Sequence, residues 1–316
     1  MNSTPSSAPR IVVLGSINMD LVLRVPHAPV AGETLHGHSI THVAGGKGGN
    51  QAVACARQGA HVQLVGCVGE DANGRTLCAA LALDGIDISA INVHSTEATG
   101  TALVMVDDAG QNRIVVIAGA NAHVMFDEQA LLDMLLPAAF LVVQFETPMA
   151  QVVQALRLAE QCNRRVLLNP SPVQAVDAAL WPLIDTLVVN EVEARMLAAM
   201  PADTPREAAA AGQALRERGV KRVVVTLGSS GAVAIDAQGA RHHPAISVQA
   251  VDTTAAGDTF LGALAVGLAS AIGFDEAVET GIRAAALCVA QAGAQPSIPT
   301  RDAVLRSPRP PPWIVL

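Results

Sequence analysis

From Asp252 to Ala263 the chain reads Asp-Thr-Thr-Ala-Ala-Gly-Asp-Thr-Phe-Leu-Gly-Ala. Two carboxylates, Asp252 and Asp258, bracket a run of small residues, and an apolar helical pattern follows at once. Small residues let backbone N–H groups crowd together where a helix starts. Those of the first turn lack intrahelical acceptors and the helix dipole favours negative charge there, so the segment has the makings of an anion site. An aspartate in that place needs a task of its own. The one that fits is general-base catalysis: Asp258 takes a proton from a substrate hydroxyl while the adjacent N–H groups hold a transferring phosphoryl group. An ordinary acidic first turn is the competing reading of this segment alone.

A second segment, Gly45-Gly-Lys-Gly-Gly-Asn50, also opens a helical pattern. Its glycines allow the backbone to approach a ligand closely, and Lys47 and Asn50 supply donors for hydroxyls or phosphate. The loop is neither a P-loop nor a Gly-x-Gly-x-x-Gly fingerprint, which counts against a nicotinamide dehydrogenase. The chain has two lysines, Lys47 and Lys221, against eighteen arginines, so a lysine inside a glycine-rich loop carries extra weight. His36, His38 and His42 share parity along one extended stretch, but no carboxylate partner is evident and we read them as surface histidines.

These segments need a frame. Apolar runs at Ile11–Gly15, Val62–Gly66, Phe140–Phe145, Arg165–Leu168, Thr186–Val189, Arg222–Leu227 and Ala232–Ile235 predict strands. Helical patterns at Gly48–Gln58, Gly74–Leu83, Asp127–Leu136, Pro148–Gln161, Glu191–Ala199, Pro205–Arg218, Gly257–Ala271 and Asp275–Ala290 separate most of them. Continuous apolar strands alternating with helices predict an α/β fold, a mostly parallel sheet covered on both faces. Asp20–Val43 and Thr99–Ala118 break the alternation with strand-like pieces, the second a hairpin around Asp107–Gly110; together they predict a small β-sheet lid. The proline-rich Ser307–Trp313 is expected to be irregular.

In an open parallel sheet, ligands bind beyond the carboxyl ends of the strands. Polar residues recur there: Asn18 and Asp20 after the first strand, Glu146, Asn169, Asn190 with Glu193 one turn on, and Thr226 before Gly228-Ser-Ser-Gly231. Each alone reads equally well as a turn or a helix cap.

Composition narrows the classes. The 316 residues are 51% hydrophobic and 15% charged, enough apolar material for a sizeable core, and a net charge of −8 argues against nucleic acid or an anionic membrane as partner. Phe260–Phe274 is too short and glycine-rich for a membrane span. Five cysteines without a CxxC pair read as reduced thiols. Met1–Arg10 reads as a polar lead-in without the features of a secretory leader, and a cytoplasmic location is the expectation.

Taken together, Gly45–Asn50 with Gln51-Ala52, and Asp252–Asp258, resemble the PfkB-type carbohydrate kinases, most nearly the ribose-phosphorylating members. Val13–Asp20, Pro29–Thr34, Gln144–Pro148, Asn190–Glu193, Thr226–Gly231 and Gly293–Ser297 match in the expected order. The resemblance implies a single kinase domain over 10–305, a three-layer α/β/α sandwich with lid segments at about 18–43 and 99–118, between irregular tails at 1–9 and 306–316. It implies ATP-dependent phosphorylation of the 5-hydroxyl of D-ribose; a related kinase of 2-deoxyribose, a nucleoside or a keto-deoxy sugar acid is the alternative. Asp258 is then the base and Ala255, Ala256 and Gly257 the anion hole. Asn18, Asp20, Gly46, Lys47, Asn50 and Glu146 match sugar-binding positions. Asn190, Thr226, Gly228, Ser229, Gly231, Gly257 and Ile282 match the ATP side, and Glu193 acts on magnesium through water. Asp252, Thr254, Cys288, Gln291, Gly293 and Ser297 match a potassium site, and the lid implies a homodimer. Ile282 stands where the family often has a histidine or asparagine near adenine, Leu261 where asparagine is common, and Gly49 where alanine is frequent.

Overall fold

The computed structural model describes residues 8–316; Met1–Ser7, most of the expected N-terminal tail, lie outside the described residues. The chain runs β1 (Arg10–Leu14), β2 (Asn18–Val25), β3 (Ser39–Gly45), α1 (Lys47–Arg57), β4 (His61–Gly69), α2 (Ala72–Leu83), β5 (Ile91–His94), β6 (Gly100–Asp107), β7 (Asn112–Ile117) and α3 (Glu128–Leu135). It continues through β8 (Phe140–Gln144), α4 (Met149–Gln161), β9 (Arg165–Asn169), β10 (Thr186–Asn190), α5 (Glu191–Ala198), α6 (Pro205–Arg216) and β11 (Arg222–Thr226). The last elements are β12 (Ala232–Asp236), β13 (Gly239–His243), α7 (Ala256–Ala269), α8 (Phe274–Val289), α9 (Arg301–Arg306) and β14 (Ile314–Val315).

Ten strands form the main sheet in the order β14-β13-β12-β11-β10-β9-β8-β1-β4-β5. The strands from β5 to β11 are parallel; β12, β13 and β14 turn back antiparallel at one edge. Side chains alternate between faces along a strand, and both faces are covered. Val12 and Leu14 of β1 and Leu141 and Val143 of β8 enter one core with α3, α4, α5 and α6, while Ile11, Val13, Phe140 and Val142 enter the other with α1, α2, α7 and α8. This is the three-layer sandwich expected from unbroken apolar strands.

A separate four-stranded sheet, β3-β2-β6-β7, is the lid. Its central pair, β2 and β6, is parallel and its flanks are antiparallel. The lid starts directly at the end of β1 and returns directly into α1, so its first and last residues, Asn18 and Gly45, are register partners. That pairing brings one end of the lid to the carboxyl end of the main sheet. At the C-terminus, Ser307–Trp313 carries no regular element, whereas Ile314–Val315 pairs with β13, a strand within the segment expected to be irregular.

Candidate active site

Helix α7 begins after Ala255, which takes a left-handed conformation (φ 60°). The turn is closed by hydrogen bonds from Ala256 N to Thr253 O (3.3 Å) and from Thr259 N to Ala255 O (2.8 Å). A Cβ added to Gly257 would meet no atom within 4 Å, so the first turn opens onto free space. Asp258 sits in that turn and is buried. Its two oxygens are held from α1: Asn50 Nδ2 donates to Oδ2 at 3.0 Å, and Gln51 Nε2 donates to Oδ1 at 2.9 Å. The two glycine- and alanine-rich helix starts, far apart in sequence, therefore meet at one carboxylate.

Around it lies a polar cradle. Asp20, on β2, faces Gly45 on β3, where a Cβ would stand 2.6 Å from the Asp20 carboxyl carbon; only glycine admits the carboxylate. Gly46 caps α1 at φ 83°. Glu146 Oε2 accepts the Lys47 N–H (3.2 Å) and, in a short contact, the Ser16 hydroxyl. Asn18 Oδ1 accepts from Asn121 Nδ2 (2.7 Å), and Asn121 Oδ1 accepts the Ile17 N–H (2.9 Å). A cavity of about 560 Å³ opens here, lined by Ser16, Asn18, Lys47, Asn121 and Glu146 and reached by Val116 of the lid.

The electrostatics are uneven. Burial pushes the Asp20 carboxyl up to about 7, and the negative charges of Glu146 and Asp258 add to the rise. Burial would depress the Lys47 ammonium, but Asp258, Glu146 and Glu193 outweigh it and hold that group above its usual range. Asp20 Oδ1 and Asn50 Oδ1 are buried without a hydrogen-bond partner. Unpaired buried acceptors are expensive, and hydroxyl donors would satisfy both.

The next stretch of the strand edge carries the remaining expected groups. Asn190 and Glu193 form a capping box at α5: Glu193 N donates to Asn190 Oδ1 (2.8 Å) and Asn190 N donates to Glu193 Oε2 (3.0 Å). Asn190 is the register partner of Thr226, which leads into the Gly228–Ser230 turn and Gly231. Ile282, on α8, is buried in the core with Phe260 of α7 and Val278, a side chain with no polar atom to offer a base.

Beyond α7, the loop before it is stitched to the end of α8: Val251 N (2.7 Å) and Asp252 N (3.2 Å) donate to Val289 O. Asp252 Oδ1 accepts from the N–H (2.9 Å) and hydroxyl (2.6 Å) of Thr254, and Oδ2 accepts the Gly293 N–H (2.9 Å). Burial would raise the Asp252 carboxyl, but these bonds outweigh it and hold the group below its ordinary range. Cys288 Sγ lies 3.7 Å from Thr254 O and 3.1 Å from Ser297 Oγ, and Gln291 N donates to Cys288 O (3.0 Å). An ionised carboxylate amid backbone carbonyls on two abutting turns is a donor set that suits a large monovalent cation. His36 and His42 are exposed on the lid, and His38 pairs with Asp108 (3.2 Å).

Four residues of the site escaped the sequence reading: Ser16, Asn121, and the glutamines Gln51 and Gln144 in their role beside Asp258. All four are buried polar side chains. Gln51, Gln144 and Ser16 lie within stretches that match the family, Gln51-Ala52, Gln144–Pro148 and Val13–Asp20, but their partners are not readable from the sequence.

A fold with two covered faces, a β lid and an aspartate in a glycine-flanked helix start defines a phosphotransferase of the sugar-kinase type. The sequence profile of the pfkB family carbohydrate kinases matches residues 8–301, and the chain belongs to that family. It is 40% identical to the ribokinase of Haemophilus influenzae over 93% of this chain and 97% of that protein. It is 37% identical to the ribokinase of Schizosaccharomyces pombe over 92% of this chain and 95% of that protein. Among solved structures it is similar to Arabidopsis thaliana ribokinase complexed with ribose and ATP, with a TM-score of 0.87 and 33% identity over 95% of this chain and 98% of that one.

Proposed function

We propose that this protein transfers the γ-phosphoryl group of ATP to the 5-hydroxyl of D-ribose. The observation that carries the reading is Asp258, buried in the first turn of α7 and tied to Asn50 of the glycine-rich loop, beside Lys47, Asp20 and Glu146. Each sugar hydroxyl both donates and accepts. Asp20 and the free oxygen of Asn50 are acceptors for vicinal hydroxyls, Lys47 a donor, and Asn18 and Glu146 close the ring. Fixing the ring directs O5 at Asp258.

Asp258 removes the O5 proton as O5 attacks the γ-phosphorus and the bond to ADP breaks. The backbone of Ala255, Ala256 and Gly257 holds the equatorial oxygens as charge develops. Thr226, Gly228, Ser229 and Gly231 line the nucleotide side with Asn190. Ile282 confines base recognition to shape and backbone contacts. Magnesium, held mostly by phosphates and water, would neutralise charge between the leaving and transferring groups, with Glu193 as the nearby carboxylate. Potassium at Asp252, Thr254, Cys288, Gln291, Gly293 and Ser297 would stiffen the turn that carries the anion hole.

Exposed apolar side chains on the lid support a homodimer: Ile114, Val115, Val116 and Ile117 of one edge strand, β7, and Ile40 of the other, β3. Among the described residues no helix is long and apolar enough to cross a membrane. We place the protein in the cytoplasm, where ATP is available and five thiols stay reduced. The test is ADP release from magnesium-ATP with potassium present, comparing D-ribose, 2-deoxyribose, adenosine and fructose 6-phosphate. Strong preference for ribose is expected; activity only with another acceptor overturns the sugar assignment and leaves the phosphotransfer chemistry standing.

A further inference from the structure

Asp258 is oriented by more than the glycine-rich loop. Gln51 and Gln144 are fully buried, and they form a chain behind the carboxylate. Gln144 Nε2 donates to Gln51 Oε1 at 2.6 Å, and Gln51 Nε2 donates to Asp258 Oδ1 at 2.9 Å. The same Gln51 nitrogen lies 3.5 Å from Asn169 Oδ1, whose own amide is fixed by a bond from Nδ2 to Val188 O (3.0 Å).

The chain has one sense. An ionised carboxylate only accepts, so Gln51 must turn its nitrogen to Asp258 and its oxygen to Gln144. Gln144 must then present its nitrogen and leave its own oxygen over, and that oxygen is buried without a partner. It fits because Gly15 has no side chain: a Cβ there would overlap the Gln144 amide, 3.1 Å from its carbon. A fold that needed only to fill this space would use apolar residues and avoid an orphaned acceptor. Two amides stand here instead, Gln51 bonded to the proposed base and Gln144 bonded behind it.

We propose that Gln51, backed by Gln144, is a positioning residue that fixes the rotation of the Asp258 carboxylate so that one oxygen faces the acceptor hydroxyl. The inference rests on Asp258 being the base. It concerns orientation, so its signature is a loss in kcat with substrate binding intact.

The experiment uses Gln51→Met, which keeps the volume and deletes the donor, in the wild-type and Asp258→Ala backgrounds, with kcat and KM measured for ribose and for ATP. In the wild-type background kcat is expected to fall about 10- to 100-fold with both KM values within about threefold, as a misaimed catalytic group predicts. In the Asp258→Ala background the same change is expected to cost less than about twofold, since residues that act through one another do not add. Unchanged kcat in the first background, or an equal loss in both, overturns the proposal. Should Gln51→Met fail to fold, Gln144→Met severs the chain one residue back; it is expected to lower kcat about three- to tenfold at constant KM, and wild-type turnover there overturns the proposal as well. If Asp258→Ala alone keeps near-normal turnover, the base assignment fails and this inference with it; an inactive Asp258→Ala beside a normal Gln51→Met removes the inference only.

Discussion

Asp20→Asn is expected to make the ligand-free protein more stable at neutral pH and to ruin its sugar site. The folded-state carboxyl of Asp20 is raised from 3.8 to about 7 by burial and by its neighbours Glu146 and Asp258. The sign follows from proton linkage. Below the unfolded-state value both states hold the proton and Asp20 costs nothing. As pH rises from 3.8 towards about 7 the unfolded chain releases its proton and the folded chain keeps it, so stability falls; above the folded value the loss is complete. About three units at ~1.4 kcal/mol each give a ceiling near 4 kcal/mol. Asp20 is partly exposed and shares its repulsion with two other carboxylates, so about 2–4 kcal/mol is the working figure.

The assay is urea unfolding of wild type and variant between about pH 4 and about pH 8, where this linkage acts. The probe is the fluorescence of Trp181, which is buried in one core. The quantity of interest is the difference between the two proteins at each pH, which cancels every other titrating group. That difference should grow with pH and level off above about pH 7. Parallel curves across the window would refute the electrostatic account of the site. Ribose binding supplies a second readout. An ionised Asp20 is the stronger acceptor for hydroxyls, so wild-type affinity should strengthen with rising pH up to about 7 and then flatten, with proton release visible by calorimetry in buffers of different ionisation enthalpy.

Asp258→Asn should lower kcat by about 10²–10⁴-fold while ATP affinity, measured by calorimetry, stays near wild type; near-normal turnover would remove Asp258 as the base. Turnover should be faster in potassium than in sodium or choline salts, and equal rates in all three would remove the cation role of Asp252. Gly45→Ala should raise the KM for ribose at least about tenfold and leave that for ATP unchanged, because the new methyl displaces the Asp20 carboxylate; an unaltered ribose KM would mean that Asp20 does not contact the sugar. Val115→Lys combined with Ile117→Lys on the exposed edge of the lid should shift sedimentation from dimer to monomer, and a wild-type profile would move the dimer interface elsewhere.

What the sequence revealed follows its physics. Strands such as Phe140–Gln144 are legible because burial on both faces makes them apolar throughout, and the lid hairpin is legible from alternation around Asp107–Gly110. By contrast β13 reads Gly-Ala-Arg-His-His, and two of its polar side chains face inward. Arg241 is buried between Asp236 (2.9 Å) and Asp275 (2.6 Å), and His243 bonds to the same Asp275 (2.9 Å). A strand stabilised by an ion network carries no hydrophobic period to detect. β5 is short, half-exposed and at the sheet edge, so nothing selects a strand-like composition there. At the site, motif residues announced themselves through glycine and charge. The residues around them, Ser16, Asn121, Gln51 and Gln144, are neutral amides and a hydroxyl whose meaning depends on partners 93 to 207 positions away, as in Gln144 to Gln51 and Gln51 to Asp258.

The same contrast explains why the site is built at a cost. Glu146, Asp258 and Glu193 crowd one ammonium, Lys47, the charges of Glu146 and Asp258 also bear on Asp20, and buried acceptors on Asp20 and Asn50 have no donor among the described residues. A protein selected for stability alone would discard this arrangement. A polyol bound as proposed would reverse it, because its hydroxyls would donate to the orphaned oxygens and relieve a desolvation already incurred in folding. Binding energy gained in this way depends on donors at fixed spacing, so it discriminates against an acceptor that lacks one of the vicinal hydroxyls. Catalytic geometry is protected differently, since Asp258 is already satisfied by Asn50 and Gln51 before any substrate arrives. The pocket is thus frustrated where it must recognise and satisfied where it must react, and the division runs through a single side chain: the Asn50 amide nitrogen is spent on Asp258, while its oxygen, like Oδ1 of Asp20, is left for a donor.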